Sequence, residues 1–167
     1  MEKFSTLNDC IALAEFAHRN QVDQAGMPYI DHPRRVMQTV QAQGAMPYVQ
    51  MAAILHDVTE DTTFTISMLL ELGIAPAAVE LIKLLDRGYS EHYYFHDPTG
   101  PLYAQDGTKE QKNYFYYADI RTNKDATLIK LADINDNLQP WRLSYLSQSR
   151  QEYLTDKYDK ALKALKG

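Results

Sequence analysis

The chain contains one cysteine, Cys10, in 167 residues. An intrachain disulfide and a CxxC metal or redox site are both excluded, and the composition fits a reducing compartment. Long apolar runs are missing as well. The richest stretch, Gly73 to Leu85, is broken by Pro76, Glu80 and Lys83, well short of the ~18 uncharged residues of a membrane helix. The start, MEKFSTLNDCIALAEF, lacks the apolar segment and small-residue cleavage site of a secretory signal, so a cytoplasmic location is expected. Basic charge is in deficit: 17 Lys and Arg stand against 22 Asp and Glu, for a net charge of −5. That balance argues against nucleic acid or an anionic membrane as partner, and no Lys/Arg-aromatic stripe offsets it. It leaves room for a local basic pocket that takes one phosphorylated small molecule. Nowhere do four or five residues alternate cleanly between apolar and polar, so strands are not expected.

What is present reads as helix. Leu7, Ile11, Ala14 and Ala17 or His18 mark the buried stripe of a first helix, and a polar loop with Gly26 and Pro28 follows from Asn20 to Asp31. Pro33 suits the first residue of a second helix that Gly44 stops, and Pro47 opens a third running to about Val58. Thr65 caps a fourth that ends at Gly73, and Pro76 opens a fifth ending near Asp86 to Gly88. Lys124 to Leu138, apolar at Leu128, Leu131, Ile134 and Leu138, is a core helix closed by Pro140, and an amphipathic stretch from Leu143 to Leu165 comes last. The expected fold is all-α, a single helical-bundle domain over 1–167. A chain of this size buries roughly 70% of its unfolded surface and needs no disulfide or metal to hold a core. One segment stands apart, at about 86–117, where Gly88, Pro98, Gly100, Pro101 and Gly107 accompany Tyr89, Tyr93, Tyr94, Tyr103, Tyr114, Tyr116 and Tyr117. It reads as an irregular insertion packed by its own rings, with a substrate lid or a homo-oligomer contact as alternatives.

Chemistry concentrates around His56-Asp57 at the end of the third helix. The dipeptide recurs at His96-Asp97, where no helix is expected to fix either side chain, so company decides. The first copy has company: His32 at the start of the second helix and Asp133 within LIKLADINDNL. A helix start, a helix end and a mid-helix carboxylate converge readily inside a bundle. Two imidazoles with two carboxylates form a mixed N/O set for Mn, Fe, Co, Ni or Zn, and the lack of a thiolate argues against a structural zinc knot. Glu60 and Asp61, three and four residues after Asp57, share its face if the helix continues one more turn. Carboxylates so placed orient or deprotonate an attacking water and protonate a leaving oxygen; the bland alternative is a solvated acidic helix end. Lys130, Asp133 and Asn137 share another face. Phosphate or sugar contacts suit Lys130 and Asn137, while a salt bridge and a helix-end cap are the structural alternatives.

The ordered blocks AEFAH, GMPYIDHP, AAILHDVTEDT and KLADINDNL, running from about Phe16 to Leu138, resemble the HD-domain metal-dependent phosphohydrolases. Within these they are most similar to the RelA/SpoT-type hydrolase domain and the small alarmone hydrolases. The resemblance implies a metal site of His32, His56, Asp57 and Asp133, usually holding Mn²⁺. It implies Glu60 and Asp61 as the pair that positions the nucleophilic water, with Asn137 and Tyr29 on the substrate. The implied activity is removal of the 3′-pyrophosphate of guanosine tetra- or pentaphosphate, a small-molecule nucleotide. Three departures are evident. The loop Asn20 to Ala25 has no cation after Arg19, Leu84-Leu85-Asp86-Arg87 stands where the family tends to have Val-Thr-Lys, and Gly88 to Tyr117 has no close counterpart. Arg19, His18, Arg87 and Lys130 are the replacements available to meet substrate phosphates. A different nucleotide or small phosphoester is the alternative substrate, and a non-catalytic binding or sensor module the alternative class.

Overall fold

The computed structural model describes residues 6–103 and 105–166, so the outermost positions of the expected 1–167 domain and residue 104 of the Tyr-rich segment lie outside the described residues. Among the described residues every regular element is helical, apart from one isolated bridge between Val22 and Pro28. Helix α1 (Leu7–Ala17) opens on a capping box in which the Thr6 side chain accepts from the Asp9 N–H and Asp9 bonds back to the Thr6 N–H. Helix α2 (Asp31–Ala42) starts two residues ahead of Pro33, and Gly44 ends it at φ +76°, a left-handed conformation that suits glycine. Helix α3 (Pro47–Leu55) is apolar but for Gln50 and the Tyr48 hydroxyl, and Ala52, Ala53, Ile54 and Leu55 are fully buried. It forms the centre of the bundle, packed by α1, α2, α6 (Pro76–Leu85) and α9 (Lys124–Asn137). Cys10 lies in this core, where burial pushes its thiol up to about 12 and leaves it inert.

The third helix does not run unbroken to Val58. It stops at Leu55, where the His56 ring binds the Ala53 carbonyl (2.8 Å) and Asp57 takes φ −98°, ψ −5°, before the short α4 (Val58–Asp61) resumes. Helix α5 (Ile66–Glu71) is capped by Thr65 as its sequence suggests. After α6, buried Asp86 accepts from the Tyr89 N–H and from Thr59 Oγ1, and so caps α7 (Arg87–Glu91).

The Tyr-rich segment is less irregular than its glycines and prolines suggest. A π-helical turn (His92–His96) follows α7, and α8 (Lys109–Arg121) begins on a Thr108/Gln111 capping box. Some of its rings pack into the bundle rather than onto one another alone: Tyr116 and Tyr117 join the buried core, and the Tyr116 hydroxyl donates to the Leu85 carbonyl at 2.7 Å, while Phe95 is buried against Phe115 of the segment itself. The chain closes with the short α10 (Pro140–Leu143) and the long α11 (Gln148–Lys166), which packs on α8 and α9. None of the described helices is long and apolar enough to cross a membrane.

Candidate metal centre and its cavity

The start of α2, the α3–α4 break and the middle of α9 meet at the bottom of a cavity of about 420 Å³. His32 Nε2 lies 3.2 Å from Asp133 Oδ1 and 3.7 Å from Asp57 Oδ2, and His56 Nε2 lies 3.1 Å from that same Asp57 oxygen. Both rings are buried, and their Nδ1 atoms are already engaged: His32 on Asp136 Oδ2 (2.7 Å), His56 on the Ala53 carbonyl. A carboxylate and a carbonyl only accept, so each Nδ1 carries the donated proton and each Nε2 is turned toward the carboxylates. The buried His56 Nε2 makes no hydrogen bond despite its closeness to Asp57. The four residues singled out by their sequence spacing are thus brought together, with potential ligand atoms of His32, His56 and Asp57 all within 4.8 Å of one another.

These contacts set the local charge. Burial alone would lower His32, but hydrogen bonds to Asp133 and Asp136 outweigh it and hold the imidazole at about 9. His56 is likewise raised, burial being outweighed chiefly by Asp57. Against their own burial, the nearby His56 and His32 charges hold Asp57 low, and Lys130 with both histidines holds Asp133 well below the usual range. Such mutual compensation among buried donors is what a cation site looks like when imidazolium stands in for the cation.

Glu60 and Asp61 both line the cavity, but in different surroundings. Glu60 Oε2 accepts the Arg87 backbone N–H (3.1 Å); although the side chain is partly open to solvent, desolvation at the cavity wall keeps its carboxyl above the ordinary value. Asp61 meets the Tyr29 hydroxyl at 2.8 Å, and Tyr29 also reaches Asp57 Oδ2 at 2.7 Å. The Gln21 side-chain amide donates to the Asp61 carbonyl (2.7 Å). Lys130 binds Asp133 Oδ2 at 2.8 Å and Asn137 binds Asp133 Oδ1 at 2.6 Å, while both still line the cavity. Arg19 is not brought to the site. Just past α1, its guanidinium donates to the Phe16 carbonyl of that helix and lies over the Phe16 ring, away from the cavity lining. His96-Asp97 stays apart too, with His96 exposed in the π-helical turn.

Arg87, one of the cations offered by the sequence, lines the cavity from α7. Arg142 and Lys157 join it from α10 and α11, and Tyr116 and Tyr117 add an aromatic wall; these four are not legible from spacing. Arg87 stacks over Tyr116 at 4.2 Å. Asp136, which accepts from His32 Nδ1, stands one turn after Asp133 on the same helix. That repeated carboxylate is the one signal available in the sequence.

No family model matches the chain. A guanosine-3′,5′-bis(diphosphate) 3′-pyrophosphohydrolase of Spiroplasma citri is 31% identical over 142 residues, which is 84% of this chain and 17% of that protein. Guanosine-3′,5′-bis(diphosphate) 3′-pyrophosphohydrolase MESH1 of Danio rerio is 38% identical over 65 residues, 36% of either chain. The chain therefore spans only a minor part of these relatives' length. A solved structure described as a metazoan ortholog of SpoT that hydrolyzes ppGpp superposes with a TM-score of 0.71 at 25% identity, over 96% of this chain and 85% of that one. By sequence over most of the chain and by fold over nearly all of it, the chain is similar to these SpoT-type proteins and shares the all-helical fold of the solved one.

Proposed function

We propose that the protein is a metal-dependent phosphohydrolase that removes the 3′-pyrophosphate of guanosine 3′,5′-bis(diphosphate). The observation that carries this reading is the convergence of His32, His56, Asp57 and Asp133, with both Nδ1 atoms engaged elsewhere and His56 Nε2 left without a hydrogen bond. That donor set fits a divalent cation, and its N/O character without thiolate suits Mn²⁺. A cation held by these four residues would neutralise charge developing on the phosphoryl oxygens.

The chain's own groups divide the remaining work. Glu60, whose proton affinity is raised by desolvation at the cavity wall, takes a proton from the attacking water as oxygen bonds to the phosphorus next to the 3′ oxygen. The same proton returns to the 3′ oxygen as the ester bond breaks, leaving the nucleoside diphosphate and pyrophosphate. Asp61, steadied by Tyr29 and Gln21, orients that water. Tyr29 serves this positioning through its hydroxyl. Lys130, Arg87, Arg142 and Lys157 meet the phosphate oxygens, replacing the cations missing from the 20–25 loop. Asn137 holds Asp133 and offers its amide edge to the ligand.

Product analysis tests the reading. Mn²⁺-loaded protein incubated with guanosine tetraphosphate is expected to release pyrophosphate and GDP, and Glu60→Gln none. A parent protein that keeps its metal yet yields no product would overturn the substrate assignment.

A further inference from the structure

Asp136 is 7% exposed, yet it is surrounded by donors. His32 Nδ1 stands at 2.7 Å, Arg35 Nε and Nη2 at 2.6 and 3.1 Å, and Arg142 Nη1 closes the set. Three elements are pinned by this one carboxylate: α2 through His32 and Arg35, α9 through Asp136 itself, and α10 through Arg142. Arg142 reaches further. Its Nη2 lies 3.4 Å from Asp23 Oδ2, in a pair whose side chains are 12% and 10% exposed. Asp23 in turn is locked to its loop, because its Oδ1 accepts the N–H groups of Ala25 (2.8 Å) and Met27 (3.0 Å). A continuous run of polar contacts, buried at the His32 end, therefore joins the backbone of the loop over the cavity to the ring of His32.

We propose that Asp136 is a positioning residue for His32, and that Arg142 couples it to Asp23, so that the 20–30 loop governs how tightly the centre holds its cation. The inference rests on His32 being a ligand. Asp136 fixes the tautomer with the proton on Nδ1, and with it the direction of Nε2; outer partners of this kind are typically worth about 10–100-fold in metal affinity. An amide at position 136 cannot replace the carboxylate, since one of its two faces would present N–H to the guanidinium N–H groups. The link to Asp23 is the longest in the run, so its share is the smallest. Coupling is reciprocal: whatever draws the loop toward the cavity tightens cation binding, and bound cation steadies the loop.

Calorimetric titration of chelator-treated protein with Mn²⁺ tests this without any substrate. Asp136→Asn is expected to weaken binding about 10–100-fold with the stoichiometry retained, Arg142→Lys less, and Asp23→Asn least but in the same direction. Thermal melts of the same metal-free samples provide the second readout. A purely structural role would lower the melting temperature and leave the Mn²⁺ dissociation constant where it was, and that result would overturn the proposal. If Asp136→Asn does not fold, Arg142→Lys decides alone, an unchanged dissociation constant counting against the coupling. A parent that takes up no Mn²⁺ would sink the reading of His32 as a ligand, and this inference with it. A parent that binds Mn²⁺ no more tightly than Asp136→Asn would sink the inference only.

Discussion

Glu60 and Asp61 are neighbours in the chain, but the fold hands them different partners and so different work. Glu60 lines the cavity, accepts from the Arg87 backbone N–H, and is raised by the desolvation it meets there; Asp61 leans on the Tyr29 hydroxyl. A base must be deprotonated to act, so turnover is expected to rise with pH through a limb set above the ordinary glutamate value. Glu60→Gln should lose that limb and about 10²–10⁴ of the rate while keeping its metal. Rate profiles measured beside metal analysis check both halves, and a Glu60→Gln protein as fast as the parent would remove Glu60 from the mechanism. Such acids are readable because their spacing places them one turn beyond Asp57. Asp136 is not, since its partner His32 lies 104 residues away and nothing in either helix alone announces the pair. Arg19 misleads for the converse reason. A cation beside a motif looks available until its guanidinium is seen satisfied by the Phe16 carbonyl and ring.

At the scale of elements, most helix ends follow from capping and breaker residues, and one that does not carries the candidate metal centre. The α3–α4 break falls at His56-Asp57, where a side chain takes a backbone carbonyl and the chain turns to aim carboxylates into the cavity. Glycines and prolines concealed the order of the Tyr-rich segment, although Thr108 and Gln111 form a capping box open to inspection. Tertiary burial of Phe95, Tyr116 and Ile120 stabilises what poor helix formers would not hold alone. Of the segment, Arg87, Tyr116 and Tyr117 line the cavity. A methyl group at Gly107 would sit 2.3 Å from the Phe95 ring, closer than atoms tolerate. Gly107→Ala is therefore expected to cost about 1–3 kcal/mol, the usual range for an overfilled core. Urea denaturation measures that cost. An unchanged midpoint would mean that Phe95 moves freely and that the segment is looser than its burial implies.

For the molecule as a whole, protons and a divalent cation compete for the same buried donors. His32 is raised to about 9 because Asp133 and Asp136 outweigh its burial, and His56 is raised beside Asp57. A histidine raised in the folded state contributes stability that is fully present below its unfolded value near 6.5 and is lost as pH climbs through about 9. Without metal, the protein should thus grow less stable across that window. A cation needs the imidazole nitrogen that the proton occupies, so its binding releases the proton and strengthens with pH over the same range. At fixed free Mn²⁺ in excess of its dissociation constant, the stabilisation it confers should grow by about 1.4 kcal/mol per pH unit for each proton displaced. Thermal melts with and without Mn²⁺ at pH 6, 7 and 8 give the two slopes separately, one falling and one rising. Parallel curves, with a metal increment that ignores pH, would show that the cation does not displace the His32 proton and would move the centre away from that ring.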